Sequence, residues 1–336
     1  MHTFPPESST APLDAALQIV AGKGGVGRTV IASALALRLA RRGHPTLLLE
    51  VNAPDNAAAC LEVAPSVDHP TEVLPNLWLC RMTPAGSMAE YALMILRFRA
   101  LYSLVFDNRL VRYMLRSIPS LAEFTMLGKA WFHSVERAAE DEPKYARMVI
   151  DAPATGHALT FLSVARTVHD VAPAGTMKTA AGRMADTIEA PTTRMHVVAV
   201  PEEMPVNEGL DLVRAARERL HVRLGLGILN QRLAPVFEPS DGPVLDRLEV
   251  DAALHRELEP YVRCARRHQA RWMLQEQHAE RFRRGSQIPL LSIPLLPERG
   301  RALIERIALL MDGCEVSNSS RASDGGPGGA RGVDEP

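Results

Sequence analysis

Short apolar runs alternate along this chain with longer stretches of helical periodicity. Leu17–Ala21 and the segments 46–51, 77–81, 147–151, 195–200, 224–229 and 288–293 read as buried strands, each too continuous in its apolar character to face water on one side. Val30 to Arg42 places apolar residues at helical spacing and stops at Gly43. Helical patterns fill most of the other gaps. This rhythm predicts an α/β fold, a doubly wound and mostly parallel sheet. The long helical stretch 86–140 has no strand within it and predicts a helical lobe inserted in the sheet's connectivity. Residues 1–14 hold three prolines and several small polar residues, and 314–336 are rich in Ser, Gly and Asp. Both ends are expected to be disordered around a single domain at 15–313. No second copy of any segment is visible.

At 336 residues the chain can bury one large core. A formal net charge of −1 lacks the basic excess of a nucleic-acid binder. The four cysteines (Cys60, Cys80, Cys264, Cys314) form no C-x-x-C pair, which suits a reducing compartment and predicts no structural zinc. Met88 to Phe106 is interrupted by Arg97 and Arg99, so no integral membrane span is expected. The start of the chain is too polar for a signal peptide. A cytoplasmic protein, at most peripheral to a membrane, is the expectation.

Candidate chemistry concentrates in Gly22-Lys23-Gly24-Gly25-Val26-Gly27-Arg28-Thr29, followed by Val30. It fits the phosphate-binding loop G-x-x-x-x-G-K-[ST] except that Arg28 stands at the lysine position. A strand before it and a helix after it aim backbone N–H groups and a helix N-terminus at phosphate oxygens. The sheet is therefore expected to be of the P-loop NTPase type. It should bind ATP along 22–30, with Thr29 as a hydroxyl ligand for Mg²⁺. Lys23 completes a K-G-G-V-G pattern, that of the deviant P-loop ATPases. Arginine keeps the charge of the missing lysine but is a planar fork on a longer stem.

Val149-Ile150-Asp151-Ala152-Pro153-Ala154-Thr155-Gly156-His157 resembles the switch segment D-x-A-P-T-G-H of the arsenite-pump (ArsA) and guided-entry (tail-anchored protein targeting) ATPases. Asn230-Gln231 and Ile293-Pro294-Leu295-Leu296-Pro297 are similar to that family's later base-binding segments. The resemblance implies that Asp151 serves Mg²⁺, that Asn230 and Pro294 hold the adenine side, and that Lys23 reaches a partner's phosphates across a dimer. At the family's D-P-A-H this chain reads Asn52-Ala53-Pro54-Asp55, so Asn52 replaces the carboxylate that polarises the attacking water. Asp55 or Glu50 would substitute under a shifted register. With Lys23, Arg28, Asn52 and Asp151 as the catalytic set, the resemblance implies an ATPase with weakened hydrolysis. The alternative is a non-hydrolysing subunit that completes a more active ArsA-like paralogue in a heterodimer; homodimer and heterodimer both stay open. The Met-rich lobe (Met88, Met94, Met114, Met126) has two readings: a groove for a hydrophobic protein client, or plain core and dimer contact.

Overall fold

In the computed structural model, which describes residues 12–96, 120–138, 142–237, 241–254 and 256–313, eight strands form one sheet. They are β1 (Leu17–Gly22), β2 (Thr46–Val51), β3 (Thr71–Leu74), β4 (Leu77–Met82), β5 (Arg147–Asp151), β6 (Thr193–Ala199), β7 (Leu224–Arg232) and β8 (Leu290–Pro294). Their spatial order is β3-β4-β2-β5-β1-β6-β7-β8. All neighbours are parallel except β3, which runs antiparallel to β4 at the edge. The seven apolar runs each become a strand. β3 escapes the apolar pattern because Thr71-Glu72-Val73-Leu74 is half exposed and has no continuous apolar run.

Helices cover both faces. On one lie α1 (Arg28–Arg41), α2 (Asn56–Leu61) and the last helix α10 (Gly300–Gly313), whose Ile31, Leu35, Leu39, Leu61, Ile304 and Ile307 pack on Val20, Leu48 and Val149. On the other lie α4 (Leu121–Val135), α5 (Thr155–Val171), α6 (Thr176–Glu189), α7 (Glu203–Ala215) and part of α9 (Glu259–Ser286). Two further α-helices, α3 (Pro84–Leu96) and α8 (Gly242–Leu254), and a π-helical turn at Ala216–Leu220 complete the described chain. With both faces covered, every residue of β1 and β2 is buried, which is why their sequences show no alternation.

Residues 12–14 belong to the fold: they form a 3₁₀ turn, Leu13 is buried, and Asp14 pairs with Arg38 (2.7 Å) and Arg42 (2.9 Å) of the α1 region. The helical insertion is also not wholly set apart. Phe124, Met126, Leu127 and Ala130 of α4 join the same core as the strands, and Phe124 meets Tyr91 of α3 edge-on with ring centroids 5.8 Å apart. Met126 is thus core. Met114 and the apolar residues between 98 and 106 lie outside the described residues, as does the side chain of Met94. His133 is buried between Tyr145 and Phe132, with Nδ1 2.8 Å from Glu136.

A polar chain crosses the middle of the sheet. The side-chain N–H of Gln18 donates to the Leu13 carbonyl (3.0 Å), and its oxygen lies 3.0 Å from His196 Nε2. His196 Nδ1 accepts from the Leu226 amide (3.1 Å), so the ring is neutral with its proton on Nε2. Complete burial, aided by Arg194, pulls its pKa down from 6.5 to about 4. The unfolded chain takes up this proton near pH 6.5 and the folded one does not, so the contribution of neutral His196 is whole above pH 6.5 and fades towards pH 4. It amounts to about 2 kcal/mol between pH 7 and pH 5. Urea unfolding at both pH values should show that loss in the wild type relative to His196→Gln. Equal pH dependence in the two proteins would refute the assignment.

Candidate functional site

β1 ends at Gly22, where the chain leaves the sheet against β6. A Cβ at Gly22 would sit 2.3 Å from the Val198 carbonyl oxygen, so only glycine fits. The loop then turns through Gly25 and Gly27, both at φ +87°, and Gly27 caps α1 in the left-handed region that favours glycine. Val26 is buried in the α1-side core and pins the loop from below. Lys23 is half-buried beside an exposed tip at Gly24 and Gly25, and Val30 is half-buried on α1.

Asn230 braces the same loop. It sits near the end of β7, 5% exposed, and its amide N–H donates to the Val26 carbonyl (2.9 Å) while its oxygen accepts from the Gln231 amide (3.0 Å). Both polar ends are spent on the chain. The amide also fills the space a side chain at Gly27 would need. Pro294, the last residue of β8, is held beside it: the Leu295 amide donates to the Arg232 carbonyl (2.7 Å).

β5 lies beside β1 and ends in Asp151, with Val20 and Glu50 as its register partners on β1 and β2. The Thr29 hydroxyl donates to Asp151 Oδ2 at 2.6 Å. Asp151 Oδ1 is buried without a hydrogen-bond partner among the described residues. Burial pushes the Asp151 carboxyl up to about 6 against the opposing pull of Thr29 and Arg28. Burial also lowers the Arg28 guanidinium, which donates to the Ala152 carbonyl. Arg28 thus leans toward the 151–157 segment, which a lysine's shorter stem would not reach in the same way.

Arg28, Thr29, Asn52, Asp151, Pro153 and His157 line a cavity of about 320 Å³ that opens beside the loop. Asn52 is exposed on its rim at φ +49°, its backbone amide bonded to the Met82 carbonyl (3.0 Å). Asp55, one candidate substitute for a carboxylate there, is 2.9 Å from the Arg81 guanidinium and does not line the cavity. Glu50, the other, is buried behind the rim. Three of the four expected catalytic residues, Arg28, Asn52 and Asp151, converge on this one space.

Lys23 does not face it. Its ammonium lies 2.9 Å from Glu208 of α7 and touches the Met204 sulfur. No local pattern marks that pairing, since 185 positions separate the two residues. Glu123 and Met126 of α4 also reach the cavity wall, again without a sequence signal. Among the described residues no group of three or more His, Cys, Asp or Glu gathers, and no helix is long and apolar enough to cross a membrane. Cys264 is exposed on α9, and Arg266 nearby is tied to Asp246 and Glu249 of α8.

Comparison with known proteins supplies the context. The model of the anion-transporting ATPase family matches residues 16–188, which include the whole glycine loop, Asn52 and the 151–157 segment. The chain is 29% identical over 249 residues to ATPase BagA of Mycobacterium tuberculosis, covering 70% of this chain and 71% of that protein. It is 28% identical over 159 residues to ATPase GET3 of Meyerozyma guilliermondii, 44% of this chain and 45% of the relative. ATPase ASNA1 homolog 1 of Paramecium tetraurelia is 27% identical over 149 residues, 43% and 42% of the two chains. With its glycine loop at the end of β1 and its acid at the end of β5, this chain is a member of the anion-transporting (ArsA) ATPase family.

Proposed function

We propose that this chain binds ATP with Mg²⁺ over residues 22–29 and hydrolyses it slowly, working as a dimer. The observation that carries the reading is the 2.6 Å bond between Thr29 and Asp151 beside the cavity, with the second Asp151 oxygen left free. Mg²⁺ takes few protein ligands and keeps several waters, so a hydroxyl and one carboxylate at the loop fit it. When bound, it would offset the charge that builds on the phosphate oxygens.

The protein's own groups do the rest. Backbone amides of the loop and the start of α1 hold the phosphates. Arg28 adds positive charge, at the cost of exchanging its bond to the Ala152 carbonyl. Asn52 can orient a water but cannot take its proton, so positioning must supply most of the catalysis. Glu123 and Met126 share the cavity wall with Pro153 and His157, a direct route from nucleotide state to the helical insertion. A bistable contact of this kind would let the nucleotide reshape α4 and whatever hydrophobic protein client the insertion serves.

Mg-ATP turnover by the purified chain tests the reading, and Arg28→Lys sharpens it. The lysine variant should raise kcat about tenfold, the scale of one improved transition-state contact at ~1.4 kcal/mol. A lower kcat in Arg28→Lys would mean that the arginine is an adapted catalytic group. A second reading is favoured by the exposed Asn52 and by Arg28 being bonded to the Ala152 carbonyl. In it, the chain binds ATP without hydrolysis and completes a more active paralogue. Clear ATP binding with no turnover in either protein would select it.

A further inference from the structure

Glu50 is 1% exposed, and one of its oxygens has an evident job. Oε1 accepts from the backbone amides of Asn56 (2.8 Å) and Ala57 (3.2 Å), tying down the turn into α2. Oε2 is as deeply buried and has no hydrogen-bond partner among the described residues. A side chain needed only to hold that turn could be a hydroxyl, without the cost of a second orphaned oxygen.

The register explains where that oxygen belongs. Glu50 is paired with Asp151 across the parallel β2–β5 ladder, so the two side chains leave the same face of the sheet about 5 Å apart. Leu48 and Val149, two residues back on each strand, pack in the core beneath α1, which identifies that face as the one carrying Thr29. Asp151 also has a buried oxygen without a partner, Oδ1. Two neighbouring buried carboxylates, each with one unsatisfied oxygen, repel each other unless one takes up a proton or a cation lies between or beside them. Arg28 is the nearby positive side chain, but its donated bond goes to the Ala152 carbonyl.

From this juxtaposition we infer that Glu50 is a second carboxylate of the Mg²⁺ site, acting beside Asp151 and Thr29 through the cation's water shell. The inference rests on the nucleotide-binding reading above. It gives the site back, from two residues earlier near the end of β2, the negative charge that Asn52 removes. Glu50 is here a positioning residue for the cation and its waters, not a group that touches phosphate.

The test uses Mn²⁺ as the probe, with ADP present, and electron paramagnetic resonance to count free metal. Wild type should bind Mn²⁺ in the nucleotide complex, and Glu50→Gln should weaken that binding about tenfold. Glu50→Gln keeps the acceptor for Asn56 and Ala57 and removes a buried charge, so a thermal midpoint no lower than wild type and an unchanged ADP affinity in EDTA show that the fold and the loop survive. Glu50→Asp should recover part of the loss. Mn²⁺ affinity within twofold of wild type in Glu50→Gln would overturn the role of Glu50 and leave the nucleotide reading standing. Wild-type protein that binds neither ADP nor Mn²⁺ would overturn both.

Discussion

Asp151→Asn is expected to lower Mg-ATP turnover by on the order of 10²–10³-fold and, in the same protein, to raise its stability. The first effect follows from the loss of the charge that faces the cation beside Thr29. The second follows from burial. The Asp151 carboxyl is 4% exposed and titrates at about 6, against 3.8 in its ordinary state. At pH 7 both folded and unfolded chains carry the ionised form, and the folded one carries it in a poorly solvated place. That costs about 3 kcal/mol above pH 6 and fades as pH falls through 6 towards 3.8, where the folded chain takes up the proton first. An asparagine keeps an oxygen for the Thr29 hydroxyl and removes the buried charge. Thermal unfolding at pH 7.5 and at pH 5 checks the sign: the variant's advantage should shrink at the lower pH. A stability gain without a turnover loss would place Asp151 outside the chemistry. The reverse would mean that Arg28 neutralises it more completely than its bond to Ala152 implies.

Lys23→Ala is expected to reduce turnover by at least about 10²-fold, because a cation supplied to the partner's phosphates acts where transition-state charge develops. The structure sets up a control. Within one chain Lys23 pairs with Glu208 at 2.9 Å, both side chains partly exposed at 26% and 35%. A pair this wet contributes roughly 0–1 kcal/mol to stability, too little to hold the lysine against a phosphate cluster. Glu208→Ala should therefore leave stability nearly unchanged and keep or raise turnover. If Lys23 matters only as a partner for Glu208, the two variants will behave alike in both measurements. Mixing Lys23→Ala protein with Asp151→Asn protein adds the decisive comparison. Each mutant chain lacks what the other still supplies, so a dimer with Lys23 acting in trans regains one competent site. A lysine acting on its own chain's nucleotide gives no recovery.

These expectations differ in how far they were legible in the chain itself. The glycine loop, its arginine and the Asp151 segment could be read directly, because each motif is contiguous in the chain and rests on backbone conformations that leave few residue choices. Gly22 and Gly27 are examples: one faces a carbonyl 2.3 Å from any Cβ, and the other sits at φ +87°. Seven of eight strands were legible too, since a strand covered by helices on both faces must be apolar throughout. β3 was not, because an edge strand half in water carries no such mark.

The apolar rhythm thus determined the fold class, and the loop motif together with the Asp151 segment determined the family. Only the tertiary structure decided which polar atoms meet. Asn230 could be recognised as a motif residue, but its use as a brace for Val26 depends on β7 passing under the loop. Glu50 drew notice only as a stand-in for Asn52, and its pairing with Asp151 arises because β2 and β5 are neighbours in space while nearly a hundred residues separate them in the chain. Lys23 found Glu208, and the cavity found Glu123 and Met126, by the same kind of long-range closure. Local sequence encodes backbone conformation and burial, whereas the electrostatics of a site belong to side chains that topology alone brings together.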